Sequence, residues 1–152
     1  MEEKTTDNQE IRRTSRALPI ALLRARETVM TPIREMLNEI GITEQKWRIL
    51  RTLHELGRLE QSAIADHACL LLPSVTRITQ SMEANGLVTR IPDTKDKRKM
   101  MVEITRAGND IITSNTPASN AIYQKLENDM GIEKVEQLLD LLEELQSTDG
   151  KP

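Results

Sequence analysis

Four cations crowd one short stretch of this 152-residue chain: Lys95, Lys97, Arg98 and Lys99, with Asp96 set among them. The stretch, PDTKDKRK, is rich in turn residues and lies between two runs that read as strands, LVTRI and KMMVEIT. Stability gives a hairpin tip no reason to collect like charges, which repel one another. A polyanion gives it one. The tip of a hairpin is narrow enough to follow the minor groove of DNA, whose negative potential attracts arginine. The plainer alternative is a charged turn that is merely solvated.

A second group of chemistry-bearing residues precedes the hairpin. Ser74, Thr76, Arg77, Thr79 and Gln80 fall in PSVTRITQSMEANG, where Val75, Ile78 and Met82 mark a core face and leave the five polar residues largely on other faces. Short hydroxyl and amide groups beside one long cation suit base edges and phosphates, and an arginine can take both acceptors of a guanine. A face of Ser, Thr and Arg is also what a solvated helix looks like. The cationic hairpin just downstream decides for DNA.

The elements that must hold these residues follow from periodicity and punctuation. Residues 1–14 are polar and aperiodic, a flexible arm. From about Ser15, apolar residues recur at helical steps through Leu18, Leu22, Val29, Ile33, Leu37 and Ile40 to a stop at Gly41. Pro32 lies inside that pattern and is expected to bend or interrupt the helix. Thr43 is placed to cap TEQKWRILRTLHEL, whose buried face reads Trp47, Leu50, Leu53 (or His54) and Leu56 up to Gly57. EQSAIADHA makes a short third helix. Pro73 is placed to open the fourth, and Gly86 to close it. After the two strands, Thr105 caps a long helix to about Met130, Gly131 breaks it, and IEKVEQLLDLLEELQS forms a last helix before a disordered tail at 148–152.

The order is therefore α-α-α-α-β-β-α-α, mainly α with a small β-hairpin: the plan of a winged helix-turn-helix. The leucine-rich outer helices, 15–42 and 106–147, have no place inside a core domain at 43–105, and a partner subunit would bury them most simply.

Composition agrees. The formal net charge is −3, yet residues 72–106 hold seven Lys/Arg against four Asp/Glu while residues 107–152 hold three against nine. That asymmetry, more than the total, is what matters for DNA. One Cys excludes an internal disulfide framework. The acidic, polar start of the chain and the lack of a long apolar run point to the cytoplasm, with no membrane partner. His54, His67 and Cys69 lack metal-ligand spacing, and no metal or cofactor is expected. With no Gly-rich phosphate loop and no nucleophile elbow, an enzyme is not expected either.

The run SVTRITQSMEANGLVTRIPDTKDKRKMMVEITRAG resembles the MarR family of transcription regulators, through the start of its recognition helix, the MEANGLVTR exit, the Asp96-Lys97-Arg98 motif and the ITRAG that follows. ALLRARETVM, TEQKWRILRTL and ACLLLPSVTRI resemble more narrowly the regulators of homoprotocatechuate catabolism. The resemblance implies a homodimer on a palindromic site in double-stranded DNA, acting as a repressor, with Arg98 entering the minor groove and Asp96 orienting it. It also implies a small aromatic acid effector between the dimerisation helices and the DNA-binding core. Arg16, Arg24 or Arg26 could supply the cation for such an anion, and Trp47 an apolar wall. The arginines could equally be surface ion pairs, and the tryptophan simply core. Two alternatives of the same fold are a redox sensor built on Cys69, which its apolar context argues is instead buried and inert, and a winged-helix module that binds protein rather than DNA.

Overall fold

The computed structural model describes residues 10–148, so the first part of the N-terminal arm and most of the C-terminal tail lie outside the described residues. After a single 3-10 turn at Thr14–Arg16, the elements are α1 (Leu18–Ile40), α2 (Glu44–Leu56), β1 (Leu59–Glu60), α3 (Gln61–Ala68), α4 (Leu72–Ala84), β2 (Val88–Pro92), β3 (Met100–Ile104), α5 (Arg106–Met130) and α6 (Ile132–Ser147). Thr43 and Thr105 cap α2 and α5 as their positions imply, accepting from Lys46 N and Gly108 N, each at 3.2 Å.

Three expectations need correcting. The sheet has three strands, in the order β1-β3-β2, because Leu59 and Glu60 pair antiparallel with Val102 and Met101. Two residues carry no period of their own, and only the partner strand makes them a strand. Of the two outcomes expected at Pro32, interruption does not occur: α1 is continuous through it. The lost N–H removes one intrahelical bond among many, and the helix carries on around the gap. On α2 the buried stripe is Trp47, Ile49, Leu50 and Leu53, while Leu56 is exposed in the last turn.

The core lies where α2, α3, α4 and the sheet meet. Ile49, Leu50, Ile64, Val75, Met82 and Val102 are fully buried. Gly86 turns the chain from α4 into β2 at φ +74°, a left-handed value that favours glycine, with Leu87 N donating to Met82 O at 2.9 Å. In register, Val88 faces Ile104 and Pro92 faces Met100, which holds the 93–99 turn at the far end of the hairpin. The ends of the chain pack differently. No residue of α6 is buried, and Leu138, Leu139 and Leu141 join Leu18 and Leu23 of α1 among the exposed large apolar side chains.

Candidate nucleic-acid interface and effector crevice

On α4, Arg77 and Gln80 are exposed, and Ser74 and Thr76 are half-buried. Thr79 is a correction: it is fully buried, and its Oγ1 donates to Val75 O at 2.8 Å. The reason is geometric. Positions 75, 78, 79 and 82 form one helical stripe, so Thr79 shares the core face despite its hydroxyl. Ser81, four residues after Arg77 and exposed, takes its place on the outer face.

The buried threonine has a structural task. Gln61, at the start of α3, donates from Nε2 to Thr79 Oγ1 at 3.1 Å, and Thr76 Oγ1 donates to Gln61 Oε1 at 3.1 Å. One amide thereby ties the two helices of the helix-turn-helix together at both its ends. Gln61→Leu should lower stability by about 1–2 kcal/mol, the worth of two such bonds. An unchanged urea midpoint would show the amide to be dispensable.

The hairpin is anchored at its root and ordered at its tip. Arg90 N donates to Glu83 Oε2 at 2.7 Å, joining β2 to the last turns of α4. At the tip, Arg98 folds back on Asp96: Nε donates to Oδ1 and Nη2 to Oδ2, both at 3.0 Å, and the backbone N of Arg98 adds a bond to Oδ1 at 3.1 Å. The paired guanidinium holds the Asp96 carboxyl below the usual carboxylate range, and the carboxylate raises Arg98 in turn. The Arg98 side chain is nonetheless 90% exposed. Lys99 leans toward Glu60 of β1 at 3.7 Å, whereas Lys95 and Lys97 are exposed and make no ion pair among the described residues.

The four residues expected at an effector site are not brought together. Arg16 and Arg24 are exposed, and Arg26 pairs with Glu44 at 2.9 Å. Glu44 is also bonded to Arg34, which reaches Glu27 at 2.7 Å; Arg34 holds both glutamates below their ordinary range. Trp47 is buried, 5% exposed, and also lines a crevice of about 280 Å³ between α2 and α5. Ile112 and Ser119 face it from α5, and Arg51 and His54 stand beside it on α2.

Arg51 is not among the residues the sequence marks for this site, although it follows Trp47 by four residues and therefore shares its side of the helix. Its Nη1 donates to Tyr123 Oη at 3.0 Å, and its guanidinium carbon lies 5.9 Å from the ring centroid. Such a cation is fixed in place and keeps donors to spare. Cys69 is also a correction. It is exposed, and it ends α3 in a left-handed conformation at φ 53°, with Arg48 Nη1 donating to its carbonyl at 3.2 Å. Among the described residues no group of three or more His, Cys, Asp or Glu converges on a point where a metal could sit, and no helix is long and apolar enough to cross a membrane.

Two helices joined by a short turn, the second with an open polar face, followed by an antiparallel hairpin with a cationic tip, define a winged helix-turn-helix protein. The MarR family profile matches residues 42–100. The chain is 38% identical over 129 residues to the HTH-type transcriptional regulator FarR of Neisseria gonorrhoeae, covering 85% of this chain and 88% of that protein. It is 38% identical over 128 residues to the homoprotocatechuate degradative operon repressor of Escherichia coli, covering 84% and 86%. The crystal structure of NadR in complex with 4-hydroxyphenylacetate is similar with a TM-score of 0.77 and 36% identity, over 90% of this chain and 96% of that one. The chain belongs to the MarR family of transcriptional regulators.

Proposed function

We propose that this regulator is a homodimer that represses transcription from a palindromic operator, and that a small aromatic carboxylate bound between α2 and α5 releases it. The observation that carries the DNA reading is the tip of the hairpin. A guanidinium that is bidentate to its neighbour and still 90% exposed is a cation pre-aimed outward, so little order is lost when it meets a phosphate or a groove edge. Arg77 and Gln80 on α4 would contact bases in the adjoining major groove.

The dimer reading rests on the leucines of α1 and α6. Leu18, Leu23, Leu139 and Leu141 are each about half exposed or more, an apolar surface that a second copy would cover. The effector reading rests on Arg51 beside the Trp47–Ile112 wall: two apolar side chains with a fixed cation next to them suit an aromatic acid, in a crevice whose other lining residues, Glu55 among them, are polar. The ligand in the NadR crystal structure is such an acid. An effector there sits between the core domain and the long helices, and would favour a dimer whose half-site spacing no longer fits the operator.

A footprint of the purified protein on the DNA upstream of its own gene, with and without hydroxyphenylacetate-type acids, tests all three parts. The expected result is a palindromic footprint with half-sites about one helical turn apart, lost when the acid is added. A footprint indifferent to the acids would remove the effector from the reading. No footprint even at low salt would point to a winged helix that binds protein instead.

A further inference from the structure

The polar groups around the α2–α5 crevice are not equally engaged. His54 Nδ1 is bonded to Asn109 Oδ1 at 2.8 Å, Thr116 Oγ1 donates to Ile112 O at 2.7 Å, and Arg51 is held by Tyr123. Ser119 differs. It is only 7% exposed, it lines the crevice, and its hydroxyl has no hydrogen-bond partner among the described residues. Neighbouring side chains of α5 do use the helix's own carbonyls, as Asn115 does with Ile111 O at 2.8 Å. A serine that leaves its helix unbonded and faces a cavity has its hydrogen-bonding capacity directed there.

We propose that Ser119 is a specificity-determining residue of the crevice, and that the effector is an aromatic acid carrying a ring hydroxyl which exchanges a hydrogen bond with it. The inference rests on the crevice being the effector site. Its physical basis is the cost of filling the crevice. In the open crevice, solvent can satisfy the Ser119 hydroxyl. A ligand with an unsubstituted ring displaces that solvent and leaves the hydroxyl buried without a partner, whereas a hydroxylated ring replaces the lost bond. Arg51 would fix the carboxylate whichever ring is present, so the two contacts divide the work: Arg51 selects for an acid, and Ser119 for the hydroxyl.

Trp47 is the sole tryptophan of the chain and lines the crevice, so its emission reports occupancy directly. Titrations of the full-length protein and of Ser119→Ala with 4-hydroxyphenylacetate and with phenylacetate give four dissociation constants. The parent should bind the hydroxylated acid about tenfold more tightly, the scale of one buried hydrogen bond. Ser119→Ala should lose that preference from both directions, binding the hydroxylated acid more weakly and phenylacetate more tightly. A preference that survives in Ser119→Ala overturns the assignment of Ser119, as does a parent that binds both acids equally. If neither acid perturbs Trp47 in the parent, the crevice is not the effector site, and the inference falls with the reading beneath it.

Discussion

Gly108→Ala is expected to lower the stability of this protein, although in a helix the same exchange ordinarily raises it. By intrinsic propensity alone, alanine in place of glycine stabilises a helix interior by about 1 kcal/mol. Gly108 occupies the first turn of α5, against the base of the hairpin. A Cβ there would lie 2.4 Å from Leu87 O, 2.8 Å from Ile104 Cγ1 and 3.2 Å from Leu50 Cδ2. The first of these is backbone and cannot rotate away. It is also occupied, since Leu87 O accepts from Thr105 N at 3.0 Å, the residue that caps α5. Relief requires the helix to back off from β2, which opens the cap and the core contact with Leu50 together. The cost should reach the upper end of that for overpacking, about 3 kcal/mol, and lower the thermal midpoint by roughly 6–12 °C in a chain of this size. Because the two effects have opposite signs, a melting curve decides between them. A midpoint equal to or above that of the parent would show that α5 is not held against the hairpin root in the way described.

That contact also shows where a sequence stops being readable. The caps at Thr43 and Thr105, the glycine exit from α4 and the two long strands are local facts, set by residues within a few positions of one another, and they were legible. The residues that join distant segments were not. Leu59 and Glu60 become a strand only against β3, some 40 residues away. Thr79 sat on the core stripe by spacing, but its polarity argued for the surface. The deciding partner, Gln61, lies 18 residues earlier on another helix. Arg51 acquires its meaning from Tyr123, 72 residues later, and from the crevice that α2 and α5 enclose only once packed. Cys69 has apolar neighbours, yet Leu71 and Leu72 are themselves exposed, so the run marks the end of a helix rather than the core. The hairpin tip was the exception among the site residues, because Asp96 and Arg98 pair across a single intervening residue and the whole arrangement is local.

Arg98→Ala should therefore weaken operator binding the most among single changes in the hairpin, by about 1–3 kcal/mol, or roughly fivefold to 150-fold. The loss should be accompanied by a salt dependence reduced by about one charge, since one fewer cation displaces counterions. Affinity unchanged in this variant would remove the tip from the interface. Asp96→Asn separates orientation from charge. A carboxylate close to DNA repels phosphate, so electrostatics alone predicts tighter binding once the negative charge is gone. The structure argues the reverse. Three bonds from Arg98 end on the Asp96 carboxylate, two of them from the guanidinium, and a neutral amide can accept on only one of its two atoms. The guanidinium then loses its bidentate seat and must be ordered anew on binding. Binding weaker than the parent, but stronger than Arg98→Ala, is the expected order. Tighter binding by Asp96→Asn would mean that Arg98 finds the groove without Asp96, and that the pair exists only in the free protein.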